Sequence, residues 1–386
     1  MSIYINTTYL LDTLKQAIRI NSIIPHEEAL ASFFAAKIRE LDLEPQWQEV
    51  APGRPNVYAS AVLGPSPYFI TFTGHLDTVD IAANWLTDPF EPVEKDGRLY
   101  GLGSVDMKAG VVCALTAFKA LLEATELHPQ LGRIGFAATV DEEGYGTGAR
   151  ALLDTEFSQS DAILLGEPYY GAPGTRPMAL GMTGKVLLKL TVQGKMAHGF
   201  MPQEGINAVE DAAKIVAALE HMHLLDHPQF GRGNYSTLKF EGGYKEYAIV
   251  VPEQCDVIIT RLTVPGESRQ SVAADMRALV DSLNLASEVT IETPPPFYEP
   301  FILDENSDLV QTFEAVYHEI TGHTPHWGAV HGITDANIYV AEGGIPTITC
   351  GPNGDKLHAA GEFVEIATLE PVARIYAATA VRLSSH

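Results

Sequence analysis

Apolar positions along the chain follow two alternating periods. Near the start Leu10, Leu11, Leu14, Ala17 and Ile18 recur at helical spacing with Asp12 and Lys15 between them, which predicts an amphipathic helix. Over 67–72, 132–140 and 161–165 the apolar runs are short and strand-like, and a helical stretch lies between them over 108–125. Such alternation predicts an α/β unit wound around a mostly parallel sheet. After the Gly- and Pro-rich GEPYYGAPGTRPM the character changes. Strands are predicted over 185–193, 235–240, 256–262 and 288–292, with helices over 205–221 and 268–283. That order is βαββαβ, the ferredoxin-like split arrangement. The run Thr293-Pro294-Pro295-Pro296 closes it, and a helix over 307–320 and two or three strands follow. The expected domains are 1–181, 182–293 and 294–386, the middle one an insertion if the last segment completes the first sheet. No internal repeat or low-complexity tract interrupts this order.

A chain of 386 residues is longer than one compact core usually holds, in keeping with two domains. The formal net charge of −24 would repel phosphate backbones, so no nucleic-acid partner is expected. No apolar run approaches the length of a membrane span, and the N-terminal pattern is that of a helix of the mature protein rather than a leader. Cys113, Cys255 and Cys350 are odd in number and widely spaced, which argues against a disulfide framework or a thiolate metal cluster. A soluble protein of the reducing cytoplasm is the expectation.

Chemistry concentrates where the predicted strands end. His75 and Asp77 lie in GHLDTV, Asp106 in GLGSVDMKAG, Glu142 and Glu143 in TVDEEGYGTGA, Glu167 in ILLGEP and His358 in GPNGDKLHAAGEFVE. Taken singly, each has an ordinary explanation as a helix cap or an exposed loop residue. Together they are carboxylates crowded at one end of a sheet, which repel unless cations lie among them. Two histidines and three carboxylates suit a pair of zinc-like ions, with one bridging acid and ions about 3.5–4 Å apart. Asp77 is close enough in sequence to orient the His75 imidazole. If the Glu142-Glu143 doublet is extended, its side chains point opposite ways, one to metal and one to substrate as general base.

The ordered strings GHLDTV, GLGSVDMKAG, DEEGYGTGA, GEP, VQGKMAHGFMPQEGINAV, GITDANIY and LHAAGEFVE cover nearly the whole chain. In them the sequence resembles the co-catalytic zinc amidohydrolase and peptidase family that includes glutamate carboxypeptidases, aminoacylases, acetylornithine deacetylase and succinyl-diaminopimelate desuccinylase. The resemblance implies that His75 and Glu167 bind one metal, Glu143 and His358 the other, and that Asp106 bridges both. It implies Glu142 as the base, Asp77 as the orienting acid and a cis peptide between Asp106 and Met107. The inserted domain resembles that family's dimerisation lid, whose His198 would reach a neighbouring subunit's site and steady the oxyanion. It also places Asp335, in GITDAN, near the substrate, where the residues alone would allow a helix cap.

In that family a hydroxide bridging two cations attacks an amide carbonyl while the glutamate shuttles the proton. The implied ions are two divalent metals, zinc or else cobalt or manganese. The implied substrate is a small N-acyl amino acid, as for a deacetylase or desuccinylase, or a peptide, as for a dipeptidase or carboxypeptidase. A non-catalytic binding protein that kept the fold is the reading of another class, but every ligand position and Glu142 are filled. At two positions where the family's lid often holds a substrate carboxylate with asparagine and arginine, this chain has Ile249 and Leu262. Arg261 is adjacent, but on a strand it points to the other face. Gly199-Phe200-Met201-Pro202 is bulky, and Tyr169, Tyr170, Tyr244 and Tyr247 either add aromatic surface to the cleft or serve as packing and loop residues. An apolar acyl group or side chain would suit such a pocket.

Overall fold

The computed structural model describes residues 3–169, 171, 176–246 and 248–385, so Tyr170 and Tyr247 lie outside the described residues. The chain divides into two compact units. One runs to Gly181 and resumes over Leu303–Val330 and from Thr334 onward; the other is Met182–Ile302 with His331–Ile333.

The first unit is α/β. Its six-stranded sheet has the order Gln46–Ala51, Arg54–Val62, Arg133–Thr139, Phe69–His75, Ala162–Pro168 and Thr347–Gly351. The last four run parallel, and the first two form an antiparallel edge. Every residue of Phe69–His75 is buried, which explains an apolar run where a half-exposed strand would alternate. The strand Thr347–Gly351 pairs with Ala162–Pro168, so the sheet is completed by chain that follows the second unit.

Helix Lys108–Glu123 packs chiefly on strands Phe69–His75 and Ala162–Pro168. It is buried on almost every side, as its near-continuous Ala, Val and Leu content requires. A Cβ on Gly110 would overlap the carbonyl of Gly166, so only glycine lets the first turn of this helix approach the strand that carries Glu167. That contact brings the loop before the helix to the end of the strand.

The chain closes with a long helix, Leu369–Ser384, where the sequence pattern predicts only strands after the helix near 307–320. Val372, Tyr376, Thr379, Ala380 and Leu383 are buried on it at helical spacing. Pro371 sits in its first turn, where no N–H is needed. The Tyr376 ring stacks on Phe72 at 5.9 Å. All three cysteines are buried and unbridged. No helix among the described residues is long and apolar enough to cross a membrane.

The second unit has the βαββαβ element order. Its antiparallel sheet runs Asn234–Gly242, Gln254–Thr263, Gly184–Gln193 and Glu288–Glu292, the ferredoxin-like arrangement. Val186, Leu188, Leu190 and Val192 alternate inward and meet Ala212 and Ile215 of helix Ala208–Ala218 and Met276 of helix Arg269–Ser282. Asn207 and Ser268 cap these two helices through their side chains. The unit continues past Thr293, where Lys185 and Tyr298 exchange main-chain hydrogen bonds of 2.8 and 2.9 Å. Arg261 points away from the position of Leu262 and is buried, paired with Glu267 and bonded to the carbonyls of Asn234 and Leu262.

Candidate metal centre

Four parallel strands end at one rim, and seven of the eight predicted site residues, all but His198, gather there. His75 is the last residue of its strand and Glu167 the penultimate one of the next. Glu142 and Glu143 follow Arg133–Thr139, Asp106 precedes helix Lys108–Glu123, and His358 lies beyond Thr347–Gly351. This is where an open parallel sheet places its ligands. The peptide between Asp106 and Met107 is cis.

Asp106 stands at the centre with its two oxygens facing different ways. Oδ1 is 3.4 Å from Nε2 of His75, and Oδ2 is 3.3 Å from Nε2 of His358. His75 Nε2 lies 3.7 Å from Glu167 Oε1, and His358 Nε2 lies 2.7 Å from Glu143 Oε1. The donor atoms of His75, Asp106 and Glu167 therefore form one triad and those of Asp106, Glu143 and His358 a second, each within 4.8 Å. Glu142 adds Oε2 at 3.9 Å from His75 Nε2.

Electrostatics explain what such a cluster lacks. Burial, aggravated by neighbouring carboxylates, raises Glu142 and Glu167 well above the ordinary glutamate range. Burial opposes charge on His75 too, but the adjacent Asp106 carboxylate and the charges of Asp77, Glu167 and Glu142 raise it well above an ordinary histidine. Asp106 is lowered despite its burial, by the imidazoles of His358 and His75 beside it. His75 Nε2 and Glu167 Oε1 are buried, and among the described residues neither makes a close hydrogen bond: they face one another at 3.7 Å, and Asp106 Oδ1 is 3.4 Å from the imidazole. Buried polar atoms left this way are costly, and the all-nitrogen-and-oxygen donor set suits divalent cations of the zinc type. The residues present fit a metal pair.

Asp77 differs from its expected role. His75 Nδ1 meets the main-chain carbonyl of Asp77 at 2.9 Å, and the carboxylate is farther, at 3.7 Å. That carboxylate instead accepts the backbone N–H groups of Glu142 at 3.2 Å and Glu143 at 2.9 Å. Asp77 thus holds the imidazole with its backbone and the glutamate doublet with its side chain. The doublet itself is in a turn, not an extended segment. Asp141 before it has φ 70°, and its carbonyl accepts the N–H groups of Tyr145 and Gly146. The turn, rather than strand alternation, sends Glu143 to His358 and Glu142 to the His75 side.

Other buried charges support the turn and were not singled out by sequence. Arg54 Nη1 is 2.9 Å from Asp141 Oδ1, and its other nitrogens bind the fully buried Glu27. Thr147 donates to Asp141 Oδ2 at 2.6 Å. Nothing local in GRPN or PHEE marks this pairing, because the partners meet only through the fold. Asp335 is buried beside the cluster, 3.3 Å from the Thr139 hydroxyl, and burial pushes it up to about 7. Its short helix is capped by Thr334, so Asp335 is not the cap. His198 belongs to the second unit, where it is exposed and its Nδ1 accepts the N–H of Phe200 at 3.2 Å. Ile249, Phe200, Met201 and Tyr244 are exposed in that unit, and Tyr169 is half-buried in the first.

Comparison with known proteins agrees with this architecture. A succinyl-diaminopimelate desuccinylase of Nitratiruptor sp. is 26% identical over 359 residues, 91% of this chain and 93% of that protein. The aminopeptidase PepT of Bacillus cereus has the same fold, with a TM-score of 0.79 at 22% identity over 98% of this chain and 99% of that one. A Bacillus subtilis protein described as a dinuclear metal binding peptidase from M20 family superposes with a TM-score of 0.71 at 18% identity, covering 98% of both chains. The model of peptidase family M20/M25/M40 matches residues 71–382, and the chain is accordingly a hydrolase of that family.

Proposed function

We propose that the protein hydrolyses the amide bond of a small N-acyl amino acid or peptide with two divalent ions, zinc or else cobalt or manganese. The observation that carries this reading is Asp106, whose two carboxylate oxygens face two separate triads. His75, Asp106 and Glu167 would hold one ion, and Asp106, Glu143 and His358 the other. Bound there, the ions supply Lewis acidity toward a carbonyl and a water-derived nucleophile at neutral pH. Glu142 is the general base and acid: its buried carboxyl takes a proton from the attacking water at Oε2 and gives it to the leaving amine. Asp77 keeps Glu142 in place through its backbone N–H. The desuccinylase relative supports an N-acyl substrate, and the aminopeptidase neighbour keeps the dipeptidase or carboxypeptidase alternative in view.

His198 would act in a homodimer, donating to the oxyanion of the partner's site. In support, strand Asn234–Gly242 has a neighbour on one side only among the described residues, and it exposes Leu238 and Phe240. An edge of this kind is a template for pairing with another chain. The cytoplasm is the proposed location.

The test is a panel of N-acyl amino acids and dipeptides incubated with zinc, cobalt or manganese, with Asp106→Ala in parallel. Release of free amine by the wild type alone supports the reading, and the best substrate assigns deacylase or peptidase. Absence of hydrolysis with every metal and substrate would overturn it.

A further inference from the structure

The loop that carries Asp106 is held from a distant part of the chain. Glu362 is 2% exposed and extends its carboxylate into the Gly101–Met107 loop. Oε2 accepts the N–H of Gly103 at 2.9 Å, and Oε1 accepts those of Val105 at 2.9 Å and Asp106 at 3.1 Å. The main-chain carbonyl of Glu362 accepts the N–H of Gly101 at 3.1 Å. Four donors of one short loop thus end on one residue. Gly103 is in the left-handed region, φ 72°, which turns its N–H toward the same carboxylate as its neighbours.

We propose that Glu362 is the positioning residue of the metal centre, fixing where Asp106 stands relative to His358. This inference rests on the reading of Asp106 and His358 as metal ligands. The segment that bears Glu362 also bears His358, whose Nε2 is 3.3 Å from Asp106 Oδ2. Just beyond it, Phe363 pairs with Tyr100 in an antiparallel ladder that leads into the loop. One stretch of chain therefore presents an imidazole to Asp106 and grips the backbone on which Asp106 is mounted. A bond rotation in either segment alone would change the distance between the two side chains, and the clamp removes that freedom.

The choice of a carboxylate follows from the donors. Three N–H groups converge on two oxygens, and only an ionised carboxylate offers acceptors on both arms. Glutamine would present an NH₂ to at least one N–H. Burial and the nearby Asp106 push Glu362 up to about 7, against the backbone N–H donors that favour its ionised form; Lys108, lowered by burial to about 7 against the raising effect of Glu362, has Nζ bonded to the carbonyl of Ile20 at 2.8 Å.

The experiment is a cobalt titration of full-length wild type, Glu362→Gln and Glu362→Asp, each stripped with chelator. The cobalt absorption spectrum, equilibrium dialysis and a urea unfolding curve are recorded on each. Wild type should take up two ions. Glu362→Gln should stay folded and bind cobalt about 10–100-fold more weakly, the usual effect of removing a group that orients a metal ligand, with an altered spectrum. Glu362→Asp, which keeps both oxygens, should fall between. A folded Glu362→Gln with wild-type cobalt affinity and spectrum overturns the proposal and leaves the metal reading standing. If wild type binds no cobalt, the metal reading itself fails. Should Glu362→Gln not fold, Glu362→Asp is judged by the same affinity and spectral criteria. If neither folds, Glu362 is an anchor of the fold and not a positioning residue.

Discussion

Oε1 of Glu143 lies 2.7 Å from Nε2 of His358, across 215 positions of sequence. Without metal the two form an ion pair, in which Asp106 and Glu143 raise His358 to about 10 from an ordinary 6.5. A histidine raised on folding stabilises the folded state fully below its unfolded value, and that contribution fades as pH rises through the folded value. Thermal unfolding in chelator should therefore show a loss of stability between about pH 6.5 and about pH 10 that is smaller in His358→Gln. Identical pH profiles would mean that the pair contributes nothing. Metal must displace this proton, so zinc uptake in weak buffer near neutrality should release acid.

Asp106 faces both triads, so its removal should empty both. Zinc-reconstituted Asp106→Ala, analysed for metal after dialysis, is expected to retain almost none where the wild type retains two ions per chain. An unchanged stoichiometry would rule out the shared carboxylate.

Glu142 stands beside the triads through one oxygen 3.9 Å from His75. Its change to Gln should leave metal content intact and lower kcat by roughly 10²–10⁴, the range for a general base. Loss of metal in this variant would show that the roles of Glu142 and Glu143 had been exchanged.

Arg54 neutralises two buried carboxylates, Glu27 and Asp141, behind the turn that bears the glutamate doublet. Arg54→Met leaves both acids without their cation and should destabilise the fold by about 3–5 kcal/mol in urea unfolding. A change under about 1 kcal/mol would mean that solvent reaches the acids, because exposed pairs are worth no more than that.

Shared sites can be tested by mixing. Glu142→Ala and His198→Ala subunits, each inactive or nearly so, should regain activity on exchange, up to half the wild-type value per mixed dimer, because one of the two sites then has both groups. His198 removal alone should cost about 10²–10³ in kcat. Confirmed exchange without recovery would show that His198 does not act across subunits.

Local pattern carries the elements far better than their long-range partners. The βαββαβ order is readable because strands such as Gly184–Gln193 alternate cleanly, one face on helices and one on solvent. His75, Asp106, Glu142, Glu143, Glu167 and His358 could be singled out because acids and imidazoles at strand ends have no structural need of one another. The closing helix was less legible, since Ile375, Tyr376 and Val381 suit a strand as well, and its register is decided by packing on Phe72 and Lys108–Glu123. Asp77 shows a different limit. Its proximity to His75 was visible, but whether the backbone or the carboxylate would make the bond depended on Glu142 and Glu143 arriving from another strand.

The N–H of Leu303 donates to the carbonyl of Leu180 at 2.8 Å. Apart from the brief His331–Ile333, the chain thus leaves the first unit and returns to it at one spot, with Met182–Ile302 strung between. For the folding of the first unit this long excursion amounts to a closed loop, whose entropic cost grows only with the logarithm of its length. Strand Thr347–Gly351 can find its place beside Ala162–Pro168 whatever the excursion contains. A longer or shorter excursion would therefore cost the first unit little, while the strands that carry His75 and Glu167 stay as they are.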